Sequence, residues 1–323
     1  MANCNNLFKD FNGDGYLKVS QDKIDKLEIS SENVRGVIKE DFNLNHPNYT
    51  PKFYLQGSNK MGTMIRTKDD TCDLDDGVYF KSNPDDVTSS TLQKWVKDAV
   101  DGITDSTPSH RKKCITIDFK AGYNIDLPIL LFDKQKDLHP KLAVRDDGFI
   151  SDDPKEFFDY FNKNASAQLI RIIRFLKAWC DFKRQKMPSG LAMTVLAINN
   201  FQKNERDDVA LKFTLIEIEN SLKNNFICLM PTTPYDDLFK GYEINQQEST
   251  KTRKENFLNN LSEFIKDAKA AVDEEKNKLK ASKLWKKHLG DRFPDGEDED
   301  EEQIRSSSLS GIIGNQKPYC DFR

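Results

Sequence analysis

Residues 56–77 read QGSNKMGTMIRTKDDTCDLDDG, and this stretch decides the fold. It contains two carboxylates, Asp73 and Asp75, and positions two apart on a β-strand point to the same face. Carboxylates that close repel each other, so they require a cation, a shared proton or solvent. Magnesium is held by one or two carboxylates together with substrate phosphates. A turn at Gly57 and Ser58 lets a backbone N–H and a hydroxyl approach such phosphates. The stretch therefore predicts a site for a nucleoside triphosphate and a metal ion.

The flanking segments predict a sheet around this site. Residues 52–56 (KFYLQ) form a short strand that leads into Gly57, and the strand with Asp73 and Asp75 continues through residues 78–80. Residues 114–119 and 125–132 alternate apolar and polar side chains, which predicts a hairpin-like pair of strands. A helix with a capping Ser-Ser-Thr sequence is predicted from about residue 89 to residue 100.

A third carboxylate, Asp126, stands in the otherwise apolar second strand of that pair. Burying it unpaired would cost roughly several kcal/mol, so it needs a partner. A metal ion shared with Asp73 and Asp75 is one such partner, and a salt bridge or an exposed sheet edge is the alternative. Asp118 is the rival third carboxylate, but it occupies a regular polar position and is expected to face solvent.

Helical patterns dominate from about residue 153 to residue 290 and predict a second lobe. Residues 165–182 (ASAQLIRIIRFLKAWCDF) carry one apolar stripe at helical spacing. Lys177 falls at the margin of that stripe, where its ammonium can lean toward a cleft; a solvated surface lysine is the alternative. Ser189 and Gly190 fit a helix N-terminus, which binds anions, although a plain N-cap explains them equally well.

Composition restricts the class of protein. The 323 residues are 37% hydrophobic and 32% charged, with a net charge of −4, which argues against a broad surface for nucleic-acid backbones. No apolar run approaches the roughly 18–20 residues needed to span a bilayer. The start of the chain has no apolar centre typical of a signal peptide. Six scattered cysteines without a C-x-x-C pair indicate reduced thiols in the cytoplasm.

Two further segments carry weaker signals. Residues 10–21 begin like an EF-hand calcium loop, but the twelfth position is the neutral Gln21 instead of a bidentate glutamate. A glycine-rich turn before a helix is the alternative. Residues 296–302 (GEDEDEE) and the serine-rich sequence after them are of low complexity and predict a flexible tail.

The ordered set of motifs resembles the polymerase-β-type nucleotidyltransferases. The resembling text is QGSNKMGT, CDLDDGVYF, YNIDLPILLF and the long block LIRIIRFLKAWCDFKRQKMPSGLAM. Within that superfamily it is most similar to the bacterial cGAS/DncV-like nucleotidyltransferases (CD-NTases), in the DncV-like branch. The resemblance implies an α+β, two-lobed fold with a mixed β-sheet palm packed on a helical C-terminal lobe and the active site in the cleft. The implied domains are residues 1–150 for an N-terminal helix and the palm, 151–293 for the helical lobe and 294–323 for the tail.

The resemblance also implies the roles of individual residues. Gly57 and Ser58, with Gln56 before them, match the turn that holds the donor phosphates. The metal-binding and catalytic carboxylates correspond to Asp73, Asp75 and Asp126. Two residues of the helical lobe match the pair that binds the triphosphate, namely Lys177 and Ser189. The implied cofactor is Mg²⁺ at a two-metal site, with Mn²⁺ as an alternative ion.

The expected activity is synthesis of a cyclic oligonucleotide second messenger from ATP, GTP or both, with release of pyrophosphate, in CBASS-type anti-phage defence. The product is expected to act on a downstream effector, and the tail is the expected contact for a CBASS accessory protein. Activation by double-stranded DNA is not expected, because the chain has no Cys/His zinc insert like that of the animal DNA sensor. Three alternatives stay open: a linear oligonucleotide synthase or single-nucleotide transferase, a nucleotide-binding scaffold, and a calcium-regulated module.

Overall fold

The computed structural model describes residues 1–244 and 252–298. Up to residue 151 the elements are α1 (Asn5–Phe11), α2 (Gln21–Asn45), β1 (Lys52–Gln56), α3 (Gly57–Lys60), β2 (Cys72–Phe80), α4 (Ser89–Ala99), β3 (Ser109–His110), β4 (Ile115–Phe119), β5 (Tyr123–Leu127), β6 (Ile129–Leu131), β7 (Lys141–Val144) and β8 (Gly148–Ser151). After that come α5 (Pro154–Asn164), α6 (Ala167–Lys183), α7 (Gly190–Asn200), α8 (Asp207–Asn224), α9 (Arg253–Lys269), a π-helical turn (Ala270–Glu274) and α10 (Lys278–Leu289).

All eight strands belong to one mixed sheet whose organising strand is β2. On one edge β2 pairs antiparallel with β1. On the other edge it pairs parallel with β5 and then β6 in one continuous register, from Cys72 opposite Tyr123 to Phe80 opposite Leu131. The antiparallel strands β4 and β3 extend the sheet beyond β5, and β7 and β8 extend it beyond β6. Parallel and antiparallel pairs therefore meet at β2.

Alternation along β2 gives the sheet one packed face and one face toward the cleft. Leu74, Asp76 and Val78 are buried on the packed side, where α2 and α4 complete the palm core. Asp76 is the polar member of this face: both of its oxygens accept hydrogen bonds from Arg35 of α2, at 2.6 and 2.9 Å. This ion pair ties the long helix α2 to β2, so the strand that carries Asp73 and Asp75 is fixed from behind.

The helical lobe is built around α6, whose apolar stripe is almost completely buried. The helix α1 belongs to the same core: the Phe8 ring lies 5.0 Å from Phe175, 4.9 Å from Trp285 and 4.9 Å from Phe293. The prediction grouped residues 1–150 with the palm, whereas the apolar side chains of residues 2–17 pack in the core of the helical lobe. Helical spacing showed that the segment has an apolar face but gave no information on which lobe covers it.

The predicted fold class is confirmed: the molecule is an α+β protein in which a mixed sheet packs against a helical lobe. In the described ranges, none of the helices has both the length and the hydrophobicity needed to cross a bilayer. The remaining predicted boundaries, near residues 150 and 293, stay predictions. Most of the predicted tail lies outside the described residues.

Candidate active site

The sheet brings the three predicted carboxylates to neighbouring strands. Asp75 of β2 stands directly opposite Asp126 of β5, and Asp73 stands opposite Asn124. On the other edge of β2, Gln56 is the partner of Asp75. The rival carboxylate Asp118 is exposed, as expected. The parallel pairing of β2 with β5 is therefore what gathers these groups at one level of the sheet.

Burial and the charges of neighbouring carboxylates disfavour the charged forms of Asp73 and Asp75. Burial raises the pKa of Asp75 to about 6, with further increases from Asp126 and Asp73. Burial, followed by the charge of Asp126, also raises the pKa of Asp73. Hydrogen bonds hold the side chains in place: Asp73 accepts one from the Asn124 amide at 3.2 Å, and Asp126 accepts one from the Thr116 hydroxyl. A cluster of this kind favours a bound cation, because a cation removes the repulsion.

The turn after β1 lies directly against Asp75. Gly57 has φ of +64°, and a Cβ built on it would stand 1.8 Å from Asp75 Oδ2, so only glycine fits this approach. The Ser58 backbone N–H hydrogen-bonds the Asp75 carboxylate and lowers its pKa. The Ser58 carbonyl in turn accepts the backbone N–H groups of Thr63, at 2.9 Å, and Met64, at 3.1 Å. The predicted phosphate turn and the predicted metal carboxylate are thus one rigid unit.

Lys177 reaches this unit from α6 in the other lobe. Its ammonium donates to the Thr63 hydroxyl at 3.1 Å and to the Thr63 carbonyl at 3.3 Å. Burial lowers the pKa of Lys177 to about 8, and the nearby Asp75 opposes that decrease. Lys177 and Asp75 line the same cavity, and the predicted role of Lys177 in binding the triphosphate stays a prediction.

Ser189 stands apart from these groups. Its hydroxyl accepts the Ala192 backbone N–H at 3.2 Å and caps α7. Its neighbours Pro188 and Gly190 line the cleft, and Ser189 itself does not. The structure shows the plain N-cap that the sequence allowed, so a role for Ser189 in holding phosphate stays a prediction.

The cleft between the lobes has a volume of about 590 Å³ and includes residues that the sequence did not single out. Among them are Thr63, Asp152, Asp181 and Arg184. Asp181 of α6 accepts the Lys68 backbone N–H at 2.6 Å and a hydrogen bond from Arg292 at 2.9 Å, and so joins the loop before β2 to the helical lobe. These contacts join residues more than 110 positions apart, so no local sequence pattern could predict them.

The EF-hand-like stretch is used as a structural connection. Its first and third predicted ligand positions are Asp10, in α1, and Asn12. The Asn12 side-chain oxygen accepts a hydrogen bond from Arg174 at 3.0 Å, and Arg66 donates to the Gly15 carbonyl at 2.6 Å. The segment therefore forms the alternative that the sequence allowed, a turn before α2.

Within residues 1–244 and 252–298, one group of three ligand-type side chains has its ligand atoms within 4.8 Å of one another, namely His139, Asp153 and Glu156. Those atoms already have structural partners: Asp153 caps α5 through the Glu156 N–H, and Glu156 accepts the Thr233 N–H. The oxygens of Asp73, Asp75 and Asp126 are spaced more widely. Three hard oxygen donors on adjacent strands fit Mg²⁺, which keeps water and substrate oxygens in its shell.

Comparison with known proteins agrees with this geometry. Residues 51–130 match the family described as cyclic GMP-AMP synthase DncV-like, nucleotidyltransferase domain. A cyclic GMP-AMP synthase from Escherichia albertii is 30% identical over 219 residues, which are 62% of this chain and 47% of that protein. The chain thus spans about half the length of that curated relative.

Solved structures extend the similarity to most of the fold. The crystal structure of Vibrio cholerae DncV cyclic AMP-GMP synthase superimposes with a TM-score of 0.76 at 16% identity, over 91% of this chain and 98% of that one. The 3′-deoxy GTP bound form of DncV gives a TM-score of 0.77 at 17% identity, over 91% and 96% of the two chains. The fold of this chain is therefore the two-lobed fold of the DncV structures. Sequence similarity to the DncV-like nucleotidyltransferase domain covers residues 51–130, which include the strands from β1 to β5.

Proposed function

We propose that this protein is a Mg²⁺-dependent nucleotidyltransferase that joins nucleoside triphosphates into a cyclic oligonucleotide and releases pyrophosphate. The observation that carries the proposal is the register of β2 with β5, which puts Asp75 opposite Asp126 beside the Gly57–Ser58 turn. ATP and GTP are the proposed substrates. Support for them comes from DncV, whose solved forms include complexes with 3′-deoxy ATP and 3′-deoxy GTP.

Asp73, Asp75 and Asp126 are the proposed ligands of the metal, with Mn²⁺ as an alternative ion. When bound, two such ions lower the pKa of the attacking hydroxyl and balance the charge of the leaving pyrophosphate. Burial, together with the like charges of Asp126 and Asp73, raises the pKa of Asp75 to about 6, and this supports the assignment because a bound cation would offset that cost.

The chain itself orients the reacting groups. In the proposed step the acceptor ribose oxygen forms a bond to the α-phosphorus of the donor, and the bond from that phosphorus to pyrophosphate breaks. Gln56, Gly57 and Ser58 would hold the donor phosphates against Asp75. Lys177, with a pKa of about 8, carries its proton at neutral pH and would balance the triphosphate charge. This is catalysis by positioning and electrostatics.

The nature of the product tests the proposal. Purified full-length protein, Mg²⁺ and radiolabelled ATP and GTP, singly and mixed, would be incubated and the products treated with phosphatase before chromatography and mass spectrometry. A phosphatase-resistant cyclic product is the expected result. Products that phosphatase trims to free ends would replace the proposal with linear synthesis, and nucleotide binding without any product would favour a scaffold.

The biological setting is proposed from the family resemblance. We place the activity in bacterial anti-phage defence, where the nucleotide product would act on a downstream effector. The cytoplasm is the proposed compartment, supported by five free cysteines among the described residues. The proposed contact of an accessory protein is with the tail, residues 294–323, most of which lie outside the described residues.

A further inference from the structure

Asp152 is a cleft carboxylate that the proposed metal site does not use. It stands between the end of β8 and Asp153, the N-cap of α5, and lines the cleft between the lobes. Its backbone N–H donates to the Pro140 carbonyl at 3.0 Å, so its main chain is fixed. Asp152 was not among the residues predicted from the sequence.

The other cleft carboxylates differ from Asp152 because protein groups satisfy them. Asp73, Asp126, Asp153 and Asp181 each accept at least one hydrogen bond from a side chain or the backbone. Across residues 1–244 and 252–298, no group donates a hydrogen bond to the Asp152 carboxylate or pairs with it.

The surroundings of Asp152 disfavour a carboxylate that accepts no hydrogen bond from the described residues. Two neighbouring charges, Asp153 and Asp236, have the same sign, and the opposite charge of Lys113 lies beyond ion-pair distance. Burial raises the pKa of Asp152 to about 6. A partly buried carboxylate without a donor is unfavourable, and a ligand that supplies N–H or O–H groups removes that cost.

The wall beside Asp152 suits a flat apolar ring. Phe157 and Phe158, on the first turns of α5, line the same cleft, as does Met230 from the loop after α8. Lys60 lies over the Phe158 ring, 5.4 Å from its centroid. Aromatic side chains bind nucleobases through stacking contacts that every base offers, so this wall accepts a base without selecting one.

Asp152 and Asp75 line the same cleft. Burial, followed by the charges of Asp153 and Asp152, raises the pKa of Tyr79, which lies on the same face of β2 as Asp75. The Tyr79 hydroxyl donates to Gln56 Oε1 at 3.3 Å, and Gln56 is the strand partner of Asp75. A nucleotide with its phosphates at Asp75 and its base in the same cleft would extend past Tyr79 toward Asp152.

We propose that the Asp152 carboxylate accepts hydrogen bonds from the Watson–Crick edge of a guanine base and thereby selects GTP for one of the nucleotide positions of the cleft. Guanine presents two donors side by side, N1–H and the 2-amino group, which match the two oxygens of a carboxylate. Adenine presents one amino group beside the acceptor N1, and that acceptor would face the carboxylate. A site built around such a hydrogen-bonded pair discriminates strongly against the analogue that lacks it. This inference rests on the proposed function.

Steady-state incorporation of ATP, GTP and inosine triphosphate by full-length Asp152→Asn and wild type tests the assignment. We expect Asp152→Asn to lower kcat/KM for GTP at least 10-fold and to leave that for ATP within about 2-fold. In wild type, inosine triphosphate, which lacks the 2-amino group, should fall between GTP and ATP. The matched control is Asp236→Asn, which removes an exposed neighbouring charge outside the cleft. It should change kcat/KM for neither GTP nor ATP.

Equal losses for ATP and GTP in Asp152→Asn would overturn the proposal, because they would show a contact with the ribose common to both. An unchanged GTP-to-ATP ratio would overturn it as well. If Asp152→Asn does not fold, Asp152→Ser is measured in its place. If wild type turns over no nucleotide, the proposed function fails separately. Calorimetry with GTP and ATP then decides: a GTP preference that Asp152→Asn removes supports the assignment, and equal affinities contradict it.

Discussion

The Lys177 ammonium lies 3.1 Å from the Thr63 hydroxyl and 3.3 Å from the Thr63 carbonyl. Thr63 is completely buried, and its backbone N–H donates to the Ser58 carbonyl. On the next turn of α6, Arg174 donates twice to the Gly62 carbonyl, at 3.1 and 2.7 Å. Two basic residues of α6 therefore bind the palm at Gly62 and Thr63, a few residues after the phosphate turn.

Thr63→Val removes the hydroxyl but keeps the volume of the side chain. A hydrogen bond to a charged group contributes about 1.5–3 kcal/mol, so we expect KM for the nucleotide to rise roughly 10-fold or more, with a smaller change in kcat. Thr63→Ser, which keeps the hydroxyl, should remain near wild type. Steady-state kinetics on the three proteins, with melting temperatures as a folding control, measures this effect.

A double-mutant cycle separates this contact from general packing. If Thr63 acts by positioning Lys177, the effect of Thr63→Val should largely vanish in a Lys177→Ala background, since the two residues share one interaction. Additive effects on kcat/KM would show that Thr63 acts independently of Lys177 and would contradict the positioning role.

Gly57→Ala should abolish activity. The new Cβ would stand 1.8 Å from Asp75 Oδ2, and the backbone is held at φ of +64°. Gly62→Ala is the matched control, because Gly62 has φ of +66° but open space around its Cβ position. Both variants carry the same backbone strain, so a loss of activity at least 100-fold larger for Gly57→Ala is expected. Equal activities would mean that the turn does not need its close approach to Asp75.

The raised pKa of Asp75 has a consequence for stability. Burial raises this pKa from 3.8 to about 6 in the folded protein. Between those pH values the folded state retains a proton that the unfolded state has lost, so the free energy of unfolding falls as pH rises through this window. Above it the penalty is fully present.

Asp75→Asn should therefore melt at a higher temperature than wild type at pH 8 without metal, and the two should converge near pH 4. At about 1.4 kcal/mol per pKa unit, the expected gain is about 1–3 kcal/mol. Mg²⁺ should stabilise wild type and leave Asp75→Asn nearly unchanged. Calorimetric melting curves at several pH values measure this, and a lower melting temperature for Asp75→Asn at pH 8 would refute the argument.

The sequence was sufficient for features that depend on local periodicity. Asp73 and Asp75 follow from a strand period of two, and Asp126 from its isolation in an apolar strand. The strand predicted at residues 52–56 has those bounds in the structure. Lys177 could be assigned to the site only with the family resemblance. Its position at the margin of the apolar stripe is, by itself, more typical of a solvated surface lysine.

Features that depend on distant contacts were outside the reach of the sequence. Thr63 meets Lys177 across 114 positions, and the loop at Lys68 meets Asp181 across 113. The apolar face of α1 could have packed on either lobe, and the tertiary fold places it in the helical lobe. Asp152 carries no motif. It is distinguished by having no hydrogen-bond donor to its carboxylate among residues 1–244 and 252–298, and only the arrangement of its neighbours reveals this.

Pyrophosphate release reports whether the adjacent carboxylates on β2 and β5 are needed for nucleotidyl transfer. Pyrophosphate and incorporated nucleotide would be measured together for wild type, Asp75→Asn, Asp126→Asn and the matched control Asp118→Asn, which changes an exposed carboxylate on β4. We expect one pyrophosphate per nucleotide joined in wild type and Asp118→Asn, and losses of at least about 1,000-fold in Asp75→Asn and Asp126→Asn. Substantial activity in Asp75→Asn or Asp126→Asn would contradict it.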